Sequence, residues 1–311
     1  MTATQESLGT DGAATAALMR RATYAAIIVQ GAMVVLKLGA WVATDSVSML
    51  SALLDSLLDA TAAAVNLVAI RHALAPADRE HRFGHGKIEP LASLGQAAFI
   101  AGSAVVLMIE ALHHLLHPVQ VLNTTFGLVV MGIAILASFA LLQYENFVVK
   151  RTGSLLVSGD ALHNAGDLAL NIGVCISLGL TAFLGWSAID PLFGGGIGVW
   201  IVYSAYRVGQ KSIFQLMDHE LPELVRNRIR DTALAHPEVR AVHDLKTREA
   251  GTTSFIQLHL EMDGAMSLAD SHRVADAVEE ELMKIFPRAE VIVHQDPVGI
   301  AERRFVPAAG R

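Results

Sequence analysis

Two pairs of ionisable side chains, each spaced four residues apart, lie inside stretches that are otherwise apolar. The first pair is Asp55 and Asp59 in Leu53-Leu-Asp55-Ser-Leu-Leu-Asp59, within a segment from about 47 to 70 that carries no other charge. The second is His163 and Asp167 in Asp160-Ala-Leu-His163-Asn-Ala-Gly-Asp167. On a helix, residues i and i+4 share one face, so each pair presents two donors to the same side. An ionised carboxylate near the middle of a bilayer costs roughly 2.5–3.5 kcal/mol on insertion scales, so such groups face a partner or an ion path. At 1.5 Å per residue, Asp55 and Asp59 lie about 12–18 Å from one membrane face. His163 and Asp167 lie about 13–20 Å from the other. Either pair alone would read as polar groups facing another helix or a water cavity. The shared spacing and depth favour a shared ion site, and three carboxylates with one imidazole form an N/O donor set suited to tetrahedral Zn²⁺. Asp160 reads as an entrance charge, Asn66 and Asn171 as interhelical hydrogen-bonding groups, and Cys175 as packing.

The elements that must hold these pairs follow from hydropathy. The chain is 53% hydrophobic and 17% charged, against about 25% charged for soluble domains, which makes it an integral membrane protein. Six apolar segments, roughly 22–43, 47–71, 90–116, 125–148, 155–184 and 188–208, are each long enough to cross a ~30 Å hydrocarbon core. The connections near 44–46, 117–124 and 185–188 hold no Lys or Arg. The opposite ends are flanked by Arg20, Arg21, Arg71, Arg79, Arg82, Lys87, Lys150, Arg151, Arg207 and Lys211. The positive-inside rule therefore predicts both termini in the cytoplasm. Lys37, inside the first span, reads as a snorkelling or helix-pairing side chain. Residues 1–19 read as a disordered tail, small and polar with no basic region ahead of an apolar core. The single cysteine excludes an internal disulfide or thiolate cluster within one chain.

After Lys211 the texture changes. Residues 212–311 hold 12 Lys+Arg against 17 Asp+Glu, an acidic balance that argues against nucleic acid as a partner. A helix from about Leu221 to Ala235, strands at Val239–Arg248 and Thr253–Met262, a helix at Ser267–Phe286 and a strand at Glu290–His294 are predicted. The fold class is thus a membrane all-α bundle of six transmembrane helices followed by a small cytoplasmic α+β domain. Its order, α-β-β-α-β, is ferredoxin-like or metallochaperone-like. The expected divisions are 1–19, 20–211, 212–298 as a metal-binding dimerisation domain, and a tail at 299–311.

Both span motifs, the Phe83-Gly-His-Gly-Lys87 loop and the tail domain resemble the cation diffusion facilitator family, most of all its bacterial ferrous-iron/zinc efflux branch, from about Thr23 to Pro297. The resemblance implies a homodimer of the bacterial inner membrane that exports a cytoplasmic divalent metal in exchange for protons, with Asp55, Asp59, His163 and Asp167 as the transport site. It further implies a loop metal site at Asp78, His81 and His85. A binuclear Zn²⁺ site at His243, His259, His272, His294 and Asp296 follows from it too, with Asp296 bridging. Lys87 and Asp218 match the family's charge pair between the two parts. Read without the resemblance, the loop is a polar segment with solvated histidines, and the scattered tail histidines are surface residues. Glu80 is a spare loop carboxylate; His219 and His236 fall outside the pattern, and His113, His114 and His117 carry no implied role. An intramembrane metallohydrolase would need a His-Glu-x-x-His motif, which is absent. A set of three aspartates and one histidine favours Zn²⁺ and also tolerates Cd²⁺ and Fe²⁺; the remaining alternatives are a passive divalent-metal channel and a carrier whose ion is Fe²⁺ or Mn²⁺.

Overall fold

The computed structural model describes residues 3–44, 47–116, 125–184 and 189–299. Its first part is six long helices: α1 (Ala3–Thr44), α2 (Val47–Ala73), α3 (Ile88–Leu116), α4 (Thr125–Thr152), α5 (Leu155–Leu184) and α6 (Ile189–Leu216). Among the described residues, Gly12–Val42, Leu53–Ala73, Ile88–His113 and Gly132–Thr152 are long and apolar enough to cross a membrane.

Two boundaries differ from expectation. Helix α1 begins at Ala3, so the stretch expected to be a disordered tail is helical. Ala13, Ala14, Ala16 and Ala17 supply the strongest helix formers there. Helix α6 continues past 208 to Leu216, because Arg207 and Lys211 end the apolar window without ending the helix. The chain passes from one compact unit to the other at Asp218, where the backbone takes a left-handed φ of 55°.

Helix α5 carries one of the two polar pairs, and its start is fixed by four residues. Gly153, at φ 73°, makes the turn out of α4, and its amide donates to Val149 O at 2.8 Å. Ser154 Oγ accepts from Val157 N at 3.2 Å, a helix cap. From α3, the buried Glu89 accepts from Leu156 N at 3.5 Å, and Ser93 Oγ donates to Leu155 O at 3.1 Å. Apolar packing completes the anchor. Leu156 joins Met19, Ala69 and Ile70 in one buried cluster, and Val157 joins Ala22 and Val148 in another.

The second unit contains α7 (Glu223–Leu234), β1 (Ala241–Ala250), β2 (Thr253–Met262), α8 (Leu268–Ile285) and β3 (Ala289–Pro297). The three strands form one sheet in the order β1-β2-β3, and β2 pairs with β3 in parallel. A parallel pair requires a crossover, and α8 supplies it. Ser267 caps α8 by accepting from Asp270 N at 3.2 Å and donating to Asp270 Oδ2 at 2.6 Å. Ile256, Leu258 and Leu260 of β2 pack with Val274, Val278 and Leu282 of α8 and Ile229 of α7. This is the α+β domain expected from the strand and helix periods, with β3 extended at both ends.

Candidate metal sites

Helices α2 and α5 bring the membrane pairs together. His163 Nε2 lies 2.9 Å from Asp59 Oδ1 and 3.6 Å from Asp167 Oδ2. Asp59, His163 and Asp167 each offer a ligand atom within 4.8 Å of the others, and all three are half-buried. Asp55 is not part of this group and is exposed. It stands one turn from Asp59, about 6 Å along the axis, and two carboxylates on one face repel unless a cation lies between them. Lys37 of α1 donates to Ser56 Oγ of α2 at 2.6 Å, pairing with a neighbouring helix as expected.

Around this cluster lies a set of polar contacts that sequence reading treated differently or missed. Asp160 is buried, not an entrance charge. Its Oδ1 accepts from Asn66 at 2.9 Å and from Gln96 at 3.1 Å. Asn66 thus serves as interhelical glue, with a carboxyl as its partner. Asn164 donates through Nδ2 to both oxygens of Glu145, at 3.0 and 2.9 Å, and accepts from Gln30 at 3.1 Å. Glu145 was not singled out. The signal was available, as an acidic residue inside the fourth apolar segment, but it stands close to Lys150 and Arg151 and reads as part of a polar flank.

The loop between α2 and α3 folds around Asp78. Its Oδ1 accepts from His81 N at 2.6 Å and Glu80 N at 2.9 Å, an Asx turn. The same carboxylate approaches His81 Nδ1 at 3.3 Å and His85 Nε2 at 3.4 Å, and the two imidazoles lie 4.5 Å apart. All three residues therefore meet. The hydrogen bond from the His81 amide, with that from the Glu80 amide and the two nearby imidazoles, holds the Asp78 carboxyl below the usual carboxylate range. Glu80 contributes its amide here. His85 Nδ1 is buried and has no hydrogen-bond partner among the described residues.

In the second unit the strand register sets the cluster. His259 pairs with His294 and Glu261 with Asp296 across β2 and β3, which puts the four side chains on one face. The buried Asp296 lies 2.8 Å from His259 Nδ1, 3.2 Å from His243 Nε2 and 3.1 Å from His294 Nε2. His243 also approaches Glu261 at 3.4 Å, while its buried Nδ1 has no hydrogen-bond partner among the described residues. Three imidazoles around one buried carboxylate fit a Zn²⁺ donor set. Glu261 was missed because polar residues alternate along β2 and it looks like any solvent-facing position. His272 does not join this cluster. It is exposed on α8 and pairs with Asp276 at 3.5 Å, one turn along its own helix.

Lys87 donates to Leu216 O at 3.4 Å, and Asp218 approaches Arg248 at 3.4 Å. The two belong to different compact units. His113 is exposed, His117 lies outside the described residues, and so does the tail from 300.

Comparison with known proteins agrees in extent with both units. The cation efflux transmembrane domain matches residues 23–217, and the cation efflux protein cytoplasmic domain matches residues 221–298. The cation-efflux pump FieF of Klebsiella pneumoniae subsp. pneumoniae is 42% identical over 292 residues, covering 94% of this chain and 95% of its own length. FieF of Citrobacter koseri is 42% identical over 286 residues, covering 92% of this chain and 95% of its own. Among solved structures, the zinc form of CzrB is 35% identical, with a TM-score of 0.26, and covers 28% of this chain and 99% of its own.

Proposed function

This chain belongs to the cation efflux family, the cation diffusion facilitators, and from that premise we propose that it exports Zn²⁺ from the cytoplasm in exchange for protons. That it is a divalent cation efflux transporter rather than an enzyme is the family's own character. The finer reading rests above all on the His163–Asp59–Asp167 cluster. An imidazole with carboxylates suits zinc better than hard ions such as Mn²⁺, which prefer all-oxygen sets.

The chemistry of exchange lies in the ligands. A metal-binding carboxylate or imidazole must offer a lone pair, and a proton competes for the same lone pair. His163 presents one ring nitrogen to two carboxylates, so in the absence of metal a proton can occupy the same Nε2 that zinc would use. When Zn²⁺ arrives, that proton leaves and Nε2, Asp59 and Asp167 become ligands, with Asp55 drawn in as the fourth. Exposing α2 and α5 alternately to the two sides of the membrane turns this competition into antiport. The loop charge supports a reading with both termini in the cytoplasm and the helices in a bacterial inner membrane. Metal is then collected where Asp78, His81 and His85 form a loop site.

Residues 212–298 form, on this reading, a homodimerising domain that senses zinc through His243, His259, His294 and Asp296, with Glu261 beside them. The binuclear set would add His272 only if α8 releases it from Asp276. Zinc bound there stabilises the folded domain by mass action. The test of the whole reading is reconstitution of the purified chain in proteoliposomes with a zinc dye and a pH dye inside. Zinc movement with opposite proton movement is expected. Zinc movement with no proton movement would make the protein a passive channel.

A further inference from the structure

The carboxyl of Glu145 has an environment that the transport cluster does not explain. It is fully buried in α4, at 0% exposure, and has no Lys or Arg partner among the described residues. Its polar contact is the side-chain amide of Asn164, whose Nδ2 reaches both carboxyl oxygens. The orientation of that amide is fixed from the other side. Gln30 of α1 donates to Asn164 Oδ1, which turns the NH₂ group toward Glu145. The titratable groups acting on Glu145 are Asp160 and His163, both on α5; α1 contributes the neutral Gln30. One turn before Asn164, the buried Asp160 is held by Asn66 and Gln96. Gly159 makes room for this. A Cβ there would lie 2.4 Å from Gln96 Oε1.

Two carboxyls in a water-poor interior, held by neutral amides, are a poor arrangement for two fixed negative charges. It is a good one for a group that takes up and gives back a proton, since an amide NH₂ can donate to either form while the carboxyl hydroxyl remains free to turn. We propose that Glu145, held by Asn164 and Gln30, is a second proton-binding site of the transporter, separate from the metal ligands. The carboxylate supplies a lone pair, an O–H bond forms with a proton taken from water on one side, and it breaks when that proton returns to water on the other. No other bond changes. Asn164 is adjacent to His163 in sequence, so any motion of α5 that re-aims His163 also moves the donor on which Glu145 depends.

This rests on the antiport reading, and the experiment separates the two. The full chain, wild type, Glu145→Gln and Glu145→Asp, is reconstituted in proteoliposomes carrying internal zinc and pH dyes. Glutamine keeps the shape and the amide contact but binds no proton. The expected result is that Glu145→Gln lowers the number of protons moved per Zn²⁺ and flattens the pH dependence of zinc flux, whereas Glu145→Asp restores both. A Glu145→Gln protein with the wild-type proton ratio and pH profile would overturn the proposal while leaving antiport intact. Wild-type zinc flux without proton movement would overturn both. Infrared difference spectra of the wild-type protein with isotope-labelled glutamate, zinc-loaded minus zinc-free, need no variant. A changing band from a protonated glutamic acid is expected, and its absence would overturn the proposal even if Glu145→Gln does not fold.

Discussion

His163 Nε2 lies 2.9 Å from Asp59 Oδ1, a contact that joins α5 to α2 at the middle of the apolar span. The two residues are 104 apart in the chain, so the contact is a tertiary one that depends on how α2 and α5 are placed. Removing Asp59 leaves His163 with Asp167 alone and opens the donor set. Loss of even an outer-shell partner typically costs about 10–100-fold in metal affinity, and a direct ligand lies at or beyond that upper end. Asp59→Ala is expected to abolish zinc flux in proteoliposomes. Retained flux within tenfold of wild type would rule out this cluster as the transport site.

On the proposed zinc-export reading, the single imidazole is expected to set selectivity. His163→Asp converts the group to carboxylates only, a set better matched to harder ions. The ratio of Zn²⁺ to Mn²⁺ transport is expected to fall by about tenfold, equivalent to about 1.4 kcal/mol. Competition flux assays with both ions in one vesicle measure it directly. An unaltered ratio would mean that helix geometry, and not the imidazole, chooses the ion. His163→Ala, which removes the shared proton acceptor, is expected to weaken coupling to the pH gradient in the same assay.

The membrane pairs were legible because a four-residue spacing inside an apolar run has few other meanings, and the depth estimate needed only helix rise. The loop group was pointed to by the family resemblance, and its three side chains can meet because Asp78, His81 and His85 are confined to eight residues. Beyond that, sequence loses its hold where tertiary contact decides. Asp55 and Asp59 look equivalent in sequence, yet Asp59 alone meets His163, because the crossing of α2 and α5 selects one turn. His272 shares its residue type with His243 and His259, but a helix face, not a strand register, fixes its direction, and it turns to Asp276. Asp160 reads as an entrance charge, and Glu145 goes unremarked, because a linear window cannot tell a helix end at the membrane surface from one covered by α1, α3 and α5.

The difference between His272 and the strand histidines is measurable. Asp296 is the shared neighbour of His243, His259 and His294, so Asp296→Asn is expected to eliminate micromolar Zn²⁺ binding by residues 212–311 in calorimetry. His272→Ala changes an exposed pair on α8, where substitutions stay within about 0.5 kcal/mol, and should leave affinity at the remaining cluster within about threefold. For the intact cluster, zinc at 100 times its dissociation constant should stabilise the domain by about 2.7 kcal/mol, read as a rise in denaturation midpoint that Asp296→Asn removes. A His272→Ala domain that binds no zinc would show that α8 turns inward to complete the site.

The loop carboxylate makes a pH prediction of definite sign. The carboxyl of Asp78 is lowered relative to its unfolded value, first by the His81 amide and then by the Glu80 amide. A group lowered in the folded state contributes its stabilisation above the unfolded value, and that contribution is lost as pH falls through the folded one. The turn built on Asp78 is therefore expected to persist as pH drops through about 3.9, the ordinary aspartate value, and to open only below it. The carboxyl-carbon chemical shift of Asp78, followed in ¹³C-aspartate-labelled protein against an Asp78→Asn control for assignment, measures the midpoint. A midpoint at or above the ordinary value would mean that the two amides do not hold the carboxylate in solution. In Asp78→Asn the side chain can still accept from the amides but carries no charge for metal, so zinc affinity at the loop should fall by at least about tenfold while the turn itself survives.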